Sequence, residues 1–149
     1  MQKITPFIWF NDQAEEAIAL YAKVFKNAKV VNVVRGGGRV HSGTVELEGL
    51  RLHCFNGGPH FKPNEAISLM VDCETQAEVD HLWSALTADG GAESQCGWLK
   101  DKFGVSWQIT PRRLVELLRD PDPARAQRAA AAMMKMKKID IAELERAAA

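Results

Sequence analysis

The sequence predicts an α+β fold: two βαβββ modules followed by a C-terminal helical extension. Three observations support this. The order strand, amphipathic helix, three strands occurs twice before Pro111. The two helical segments share a tripeptide, Gln13-Ala14-Glu15 and Gln76-Ala77-Glu78, and their apolar positions match at a shift of 61 residues (18 to 79, 21 to 82, 25 to 86). Beyond Pro111 the pattern turns helical and rich in Leu, Ala and Met. Repetition on this scale indicates a duplicated module, each half burying one helix against its own curved sheet. The predicted boundaries are about 1–60 and about 64–110 for the modules and 111–149 for the tail, all within one domain.

Each element has its own signal. "ITPFIWF" (4–10) is aromatic and β-branched, a strand. Asp12 and Glu15 have the spacing of a capping box, and Ala14, Ala17, Ile18, Tyr21, Val24 and Phe25 form one apolar helix face. "KVVNVV" (29–34), "RVHSGTVELEG" (39–49) and "LRLHCF" (50–55) read as three strands, the last two joined at Glu48-Gly49. In the second half "AISLMVDC" (66–73) is a strand and Thr75 with Glu78 a capping box. Val79, Leu82, Trp83 and Leu86 are the apolar face of the second helix, and "DGG" (89–91) stops it. Short strands follow at 92–96, 97–101 and 105–110, the last two forming a hairpin in which Trp98 and Trp107 face each other. In the tail, Thr110-Pro111 opens a first helix and "DPDP" (120–123) breaks it. An Ala/Met-rich helix follows, then a short one capped at Asp140 with Glu143.

Bulk composition removes several function classes. The chain has 149 residues, enough for a core without metal or disulfide staples, and 46% of them are hydrophobic. Lys+Arg and Asp+Glu both number 19, so there is no broad cationic surface for nucleic acid. No run approaches the ~20 apolar residues of a membrane span, and "MQKITPFIWFND" lacks a secretory signal. Three Cys (Cys54, Cys73, Cys96) with no CxxC argue against a disulfide framework and for a reduced, cytoplasmic protein.

The paired βαβββ plan, the "NGGP" loop (56–59), the segment "CGWLKDKFGVSWQITP" (96–111) and the tail "MMKMKKIDIAELERA" (133–147) together resemble a known family. It is the PhnB-like branch of the vicinal oxygen chelate superfamily (glyoxalase, bleomycin-resistance and dioxygenase proteins), often described as a 3-demethylubiquinone-9 3-methyltransferase domain. The resemblance implies a cupped mixed sheet, a homodimer, and a small-molecule ligand in the cup. It also implies a divalent metal held by His, Gln or Glu of matching strands, which polarises the substrate's vicinal oxygens. The implied ligand positions fall near Thr5, near Ala66 (which has no donor), and on Gln108; His53 is the good donor on the strand closing the first repeat. His53 and Gln108 are thus the metal candidates, an incomplete set against the three or four ligands such a site needs.

The substrate-binding candidates are Thr5, Phe7, Trp9, His53, Phe55, Asn56 and Gln108. Period-two alternation sends Thr5, Phe7 and Trp9 to one side of the first strand. Asn56 is the candidate donor to a substrate oxygen; the alternative is a turn residue beside Gly57. His53, as an imidazole, suits a ligand or acid–base role. Cys96 and the Ser residues lack partners for a nucleophilic triad. Gly36-Gly37-Gly38 is followed by a strand-like stretch, so the cluster is a mobile loop between antiparallel strands and not the nucleotide turn of a methyltransferase. Two functions lead, a metal-dependent lyase, isomerase or dioxygenase and a non-catalytic protein that sequesters a small molecule; a third is an interaction module using the Met-rich tail (Met133, Met134, Met136).

Overall fold

The computed structural model describes residues 2–149 and divides into two compact units, Met1–Asn64 and Glu65–Ala149. The first contains β1 (Phe7–Phe10), α1 (Ala14–Val24), β2 (Ala28–Gly36), β3 (Arg39–Leu47) and β4 (Leu50–Asn56). Its sheet runs β1-β4-β3-β2, with β1 parallel to β4 and the other pairs antiparallel. Ala14, Ala17, Ile18, Tyr21 and Val24 are the buried stripe of α1. Opposite lie the buried Phe10, Val45, Leu47, Leu52 and Cys54 of the sheet. Gly43 permits this approach: a Cβ there would sit 2.6 Å from Ile18 Cδ1 and 2.9 Å from the Asn32 carbonyl.

Two local expectations are corrected here. The first strand begins at Phe7, not Ile4, because Pro6 has no N–H for the ladder; its carbonyl still accepts from the His53 N–H at 2.9 Å. The Asp12–Glu15 box does not form. The helix starts one residue too late for it, with Gln13 at the N-cap and no side-chain cap. Asn56, at the end of β4, supplies the missing acceptor: its Oδ1 takes the Ala14 N–H at 2.8 Å. The hairpin at Glu48-Gly49 is as expected, with φ of 49° and 86° matching the tight two-residue turn that follows strand twist.

The second unit repeats the order with β5 (Ser68–Cys73), α2 (Gln76–Thr87), β6 (Ala92–Glu93), β7 (Trp98–Lys100) and β8 (Ser106–Pro111). Its sheet runs β5-β8-β7-β6, again with one parallel pair, β5–β8. Thr75 caps α2, its hydroxyl accepting from the Glu78 N–H at 3.1 Å; such a cap contributes about 1 kcal/mol. Val79, Leu82, Trp83 and Leu86 of α2 are buried, as are Leu99, Trp107 and Ile109 of the sheet that α2 packs on.

The two Trp of the closing hairpin do not face each other. Trp98 pairs with Gln108, and Trp107 pairs with Leu99. A one-residue offset sends side chains to opposite faces, so Trp98 shares the helix-free face with Gln108 while Trp107 is buried under α2. Trp107 is held there by Asp101, which is 2% exposed. The carboxylate accepts from the indole Nε1 at 2.9 Å and from the backbone N–H groups of Phe103 (2.9 Å) and Val105 (3.0 Å).

The tail forms α3 (Arg112–Leu118), α4 (Pro123–Met133) and α5 (Ile141–Ala148) around a small core of Leu114, Leu117, Ala129, Ile139, Leu144 and Ala148. Asp122 and Asp140 cap α4 and α5, accepting from Ala124 and Glu143 N–H groups. Met133 and Met136 pack on this core, whereas Met134 is exposed. None of the described helices is long and apolar enough to cross a membrane.

Candidate functional site

In the first unit the face opposite α1 carries a cluster of rings. Parallel pairing sets Phe7 beside His53 and Trp9 beside Phe55, and antiparallel pairing sets Thr44 beside His53. Alternation then turns all five side chains the same way. Ring centroids are 5.0 Å apart for Phe7–His53, 5.4 Å for Phe7–Phe55 and 5.2 Å for Trp9–Phe55. Phe61, from the loop after β4, meets Trp9 edge-on at 5.0 Å. Phe7 is 59% and Phe61 65% exposed. Trp9 is fixed by its indole Nε1, which donates to the Gly58 carbonyl at 2.9 Å. Beneath it lies Gly57, where a Cβ would come within 2.3 Å of the indole ring and 2.7 Å of the Phe55 ring.

The candidates read from sequence are not all brought together. Phe7, Trp9, His53 and Phe55 share this face. Thr5 is exposed and precedes the first strand of the ladder. The Asn56 amide is engaged at both ends: Oδ1 caps α1 and Nδ2 donates to the Val40 carbonyl at 3.0 Å. The donor expected to meet a substrate oxygen is therefore tied to the scaffold. His53 Nδ1 lies 3.0 Å from the Thr44 hydroxyl, which leaves Nε2 to meet a ligand.

Gln108 lies in the second unit, on the face opposite α2, and its Nε2 donates to the Ser68 hydroxyl at 2.9 Å. The shift of 61 carries Phe7 onto Ser68, and these pair with His53 and Ser106 respectively. His53 thus corresponds to Ser106, and Phe55 to Gln108, so the two metal candidates do not occupy matching places. Alternation sets Ser106 on the same side of its strand as Gln108, whereas Lys100 and Glu65 are the neighbours that sequence reasoning missed. Ser106 is 1% exposed, and its hydroxyl is the one buried side-chain N or O atom among the described residues with no hydrogen-bond partner. Lys100, its neighbour on β7, pairs with Glu65, and the ammonium holds the Glu65 carboxyl below the usual carboxylate range. No local signal marks Lys100 and Glu65, which join this row only through strand register and the segment before β5.

The divalent metal implied by the superfamily does not fit these donors. On the first face His53 is the one strong nitrogen donor, and Glu46, one row along, is held by Arg51 at 3.1 Å and Lys29 at 3.8 Å. Among the described residues no group of three or more His, Cys, Asp or Glu is placed to hold an ion, against the three or four ligands required.

The three thiols are free but unequal. Burial pushes the Cys54 and Cys73 thiols up to about 12, with Glu78 and Asp72 adding to the rise at Cys73, while Cys96 is half-buried in a turn. The thiolate is the reactive form. With the native protein at pH 8, a disulfide reagent such as DTNB should therefore modify one equivalent rapidly, at Cys96. The other two should react only on unfolding; three fast equivalents would contradict this.

The duplicated βαβββ architecture is a fold shared with solved structures of glyoxalase and bleomycin-resistance proteins. A glyoxalase/bleomycin resistance protein from Albidiferax ferrireducens is 13% identical, with a TM-score of 0.53 over 72% of this chain and 96% of that one. A glyoxalase-related enzyme from Fulvimarina pelagi is 17% identical, with a TM-score of 0.51 over 76% and 91%. At these identities the likeness is one of fold. The chain belongs to the family described as 3-demethylubiquinone-9 3-methyltransferase, whose sequence model matches residues 2–110. It is also similar to a PhnB protein from Bacillus cereus with that same description, 34% identical and with a TM-score of 0.69 over 74% of this chain and 99% of that one. A comparison with curated proteins finds no match. The family match stops where the tail begins, so α3, α4 and α5 lie beyond it.

Proposed function

We propose that this PhnB-like protein binds a flat, largely apolar small molecule against the ring face of its first unit, without a superfamily-type metal. The observation supporting this is the cluster of Phe7, Trp9, Phe55 and Phe61 around His53, in which Phe7 and Phe61 are exposed and Trp9 and Phe55 half-buried. Apolar rings gathered on a helix-free sheet face, with one imidazole edge among them, suit stacking plus a single directional hydrogen bond. The methyl transfer in the family's description finds no support in the geometry. Gly37 and Gly38 form a turn between antiparallel strands β2 and β3, not a strand-to-helix phosphate turn in a parallel sheet.

Calorimetric titration with 2-naphthol should give saturable binding that weakens at least tenfold, about 1.4 kcal/mol, in Trp9→Ala. Equal affinity in wild type and variant would overturn the proposal. Elemental analysis of untagged protein should find less than stoichiometric divalent metal; a full equivalent lost in His53→Ala would favour the metal-dependent lyase, isomerase or dioxygenase instead. We further propose a homodimer in the cytoplasm. Free thiols suit a reducing compartment, and the nine-residue edge strand β2, with Val30 and Val34 exposed, offers an unpaired edge to a second copy.

A further inference from the structure

We propose that the helix-free face of the second unit holds a carboxylate subsite, in which Lys100 leaves Glu65 to pair with the carboxylate of a small organic acid and the Ser106 hydroxyl donates to the same group. The first support is Ser106 itself. Native proteins seldom bury a hydroxyl without a partner, and each exception calls for a reason. Here the orphan is not remote from polar chemistry. Register places Ser68, Ser106 and Lys100 side by side across β5, β8 and β7, and alternation turns them to one face, away from the buried Trp107.

The second support is the ion pair on that row. Lys100 belongs to β7, and Glu65 lies three residues before Ser68 of β5, so their contact bridges the two strands that flank β8. Both side chains are well exposed, and such pairs are screened and weakly held. Glu65 presents to Lys100 the functional group that a ligand acid would bring. It thus acts as an internal stand-in that keeps the ammonium in place and yields to a better-placed carboxylate.

The third support is the adjacent row, Met70, Gln108 and Trp98. Met70 is 65% exposed and Trp98 half-buried, an apolar bed for the body of the acid. The Gln108 amide is oriented by its bond to Ser68, with its carbonyl left to accept. Together the two rows fit a compact carboxylic acid with an aromatic or branched apolar body. The subsite is independent of the ring face of the first unit.

The test is a titration of the full-length, isotope-labelled protein with benzoate, followed by amide NMR shifts, with benzyl alcohol as the uncharged control. Benzoate should shift Ser68, Lys100 and Ser106 saturably, and benzyl alcohol should not. Lys100→Met should weaken benzoate about tenfold or more, as expected for loss of a charge-assisted contact. Glu65→Gln should tighten it several-fold by removing the internal competitor, a change in the opposite direction from any loss of structure. Ser106→Ala should weaken binding while leaving the melting temperature equal to or above that of wild type. The proposal is overturned by no shift on this row, by equal binding of the alcohol, by unchanged affinity in Lys100→Met or Glu65→Gln, or by shifts confined to Phe7 and Trp9. That last outcome would leave the ring-face reading standing.

Discussion

Replacing Asp101 with Ala should lower the free energy of unfolding by about 3–5 kcal/mol, measured by urea denaturation. The carboxylate is buried and accepts from two backbone N–H groups and one indole N–H. Truncation leaves those three donors in a space too closed for water to replace every bond, and each buried unpaired donor costs about 1–3 kcal/mol, not fully additively. Asp101→Asn should be milder, about 2 kcal/mol, because one oxygen remains while the new amide N–H meets another donor. The loss should be accompanied by a changed near-ultraviolet circular dichroism band from Trp107. A loss below about 1 kcal/mol in the Ala variant would show that the turn is held by something other than this carboxylate. The effect extends beyond stability. This turn fixes the register of β7 on β8, and that register turns Ser106 and Gln108 to the helix-free face.

Gly57→Ala should weaken 2-naphthol binding at least tenfold and destabilise the first unit by about 1–3 kcal/mol, the usual cost of overpacking. The added methyl would lie 2.3 Å from the Trp9 indole. The ring has no easy escape, because its Nε1 is bonded to Gly58 and its other edge meets Phe55 and Phe61. Gly49→Ala is the informative contrast. That glycine has φ of 86° and open space around its Cα, so alanine there costs roughly 1 kcal/mol of backbone strain and should leave binding unchanged. If Gly57→Ala binds like wild type, the ring cluster is not the binding face.

The parts of this fold visible in the sequence were those set by local chemistry. The Thr75 cap on the Glu78 N–H, the Glu48-Gly49 turn and the apolar stripes of α1 and α2 each act within a few residues, and each appears as expected. What the sequence hid depends on long-range partners. Asp12 and Glu15 have the right spacing for a box, yet the acceptor for the Ala14 N–H comes from Asn56, 42 residues beyond Ala14. Trp98 and Trp107 look like a pair because both lie in one hairpin, but the Asp101 turn shifts the register and separates them. The candidate site shows the same division. Alternation sufficed to group Phe7 with Trp9 and Ser106 with Gln108, while Phe61 and the Lys100–Glu65 pair emerged only from tertiary placement.

The long-range cap on α1 also bears on the order in which the molecule forms. A helix of 11 residues is too short to persist alone in water, and this one has no side-chain cap from its own neighbours. Its acceptor arrives with the last residue of β4, so during synthesis α1 gains its cap only after residue 56 has emerged. The parallel partner of β1 arrives with that same strand. Both of these long-range connections thus close with the same strand, and their loop-closure cost falls due at that point of folding.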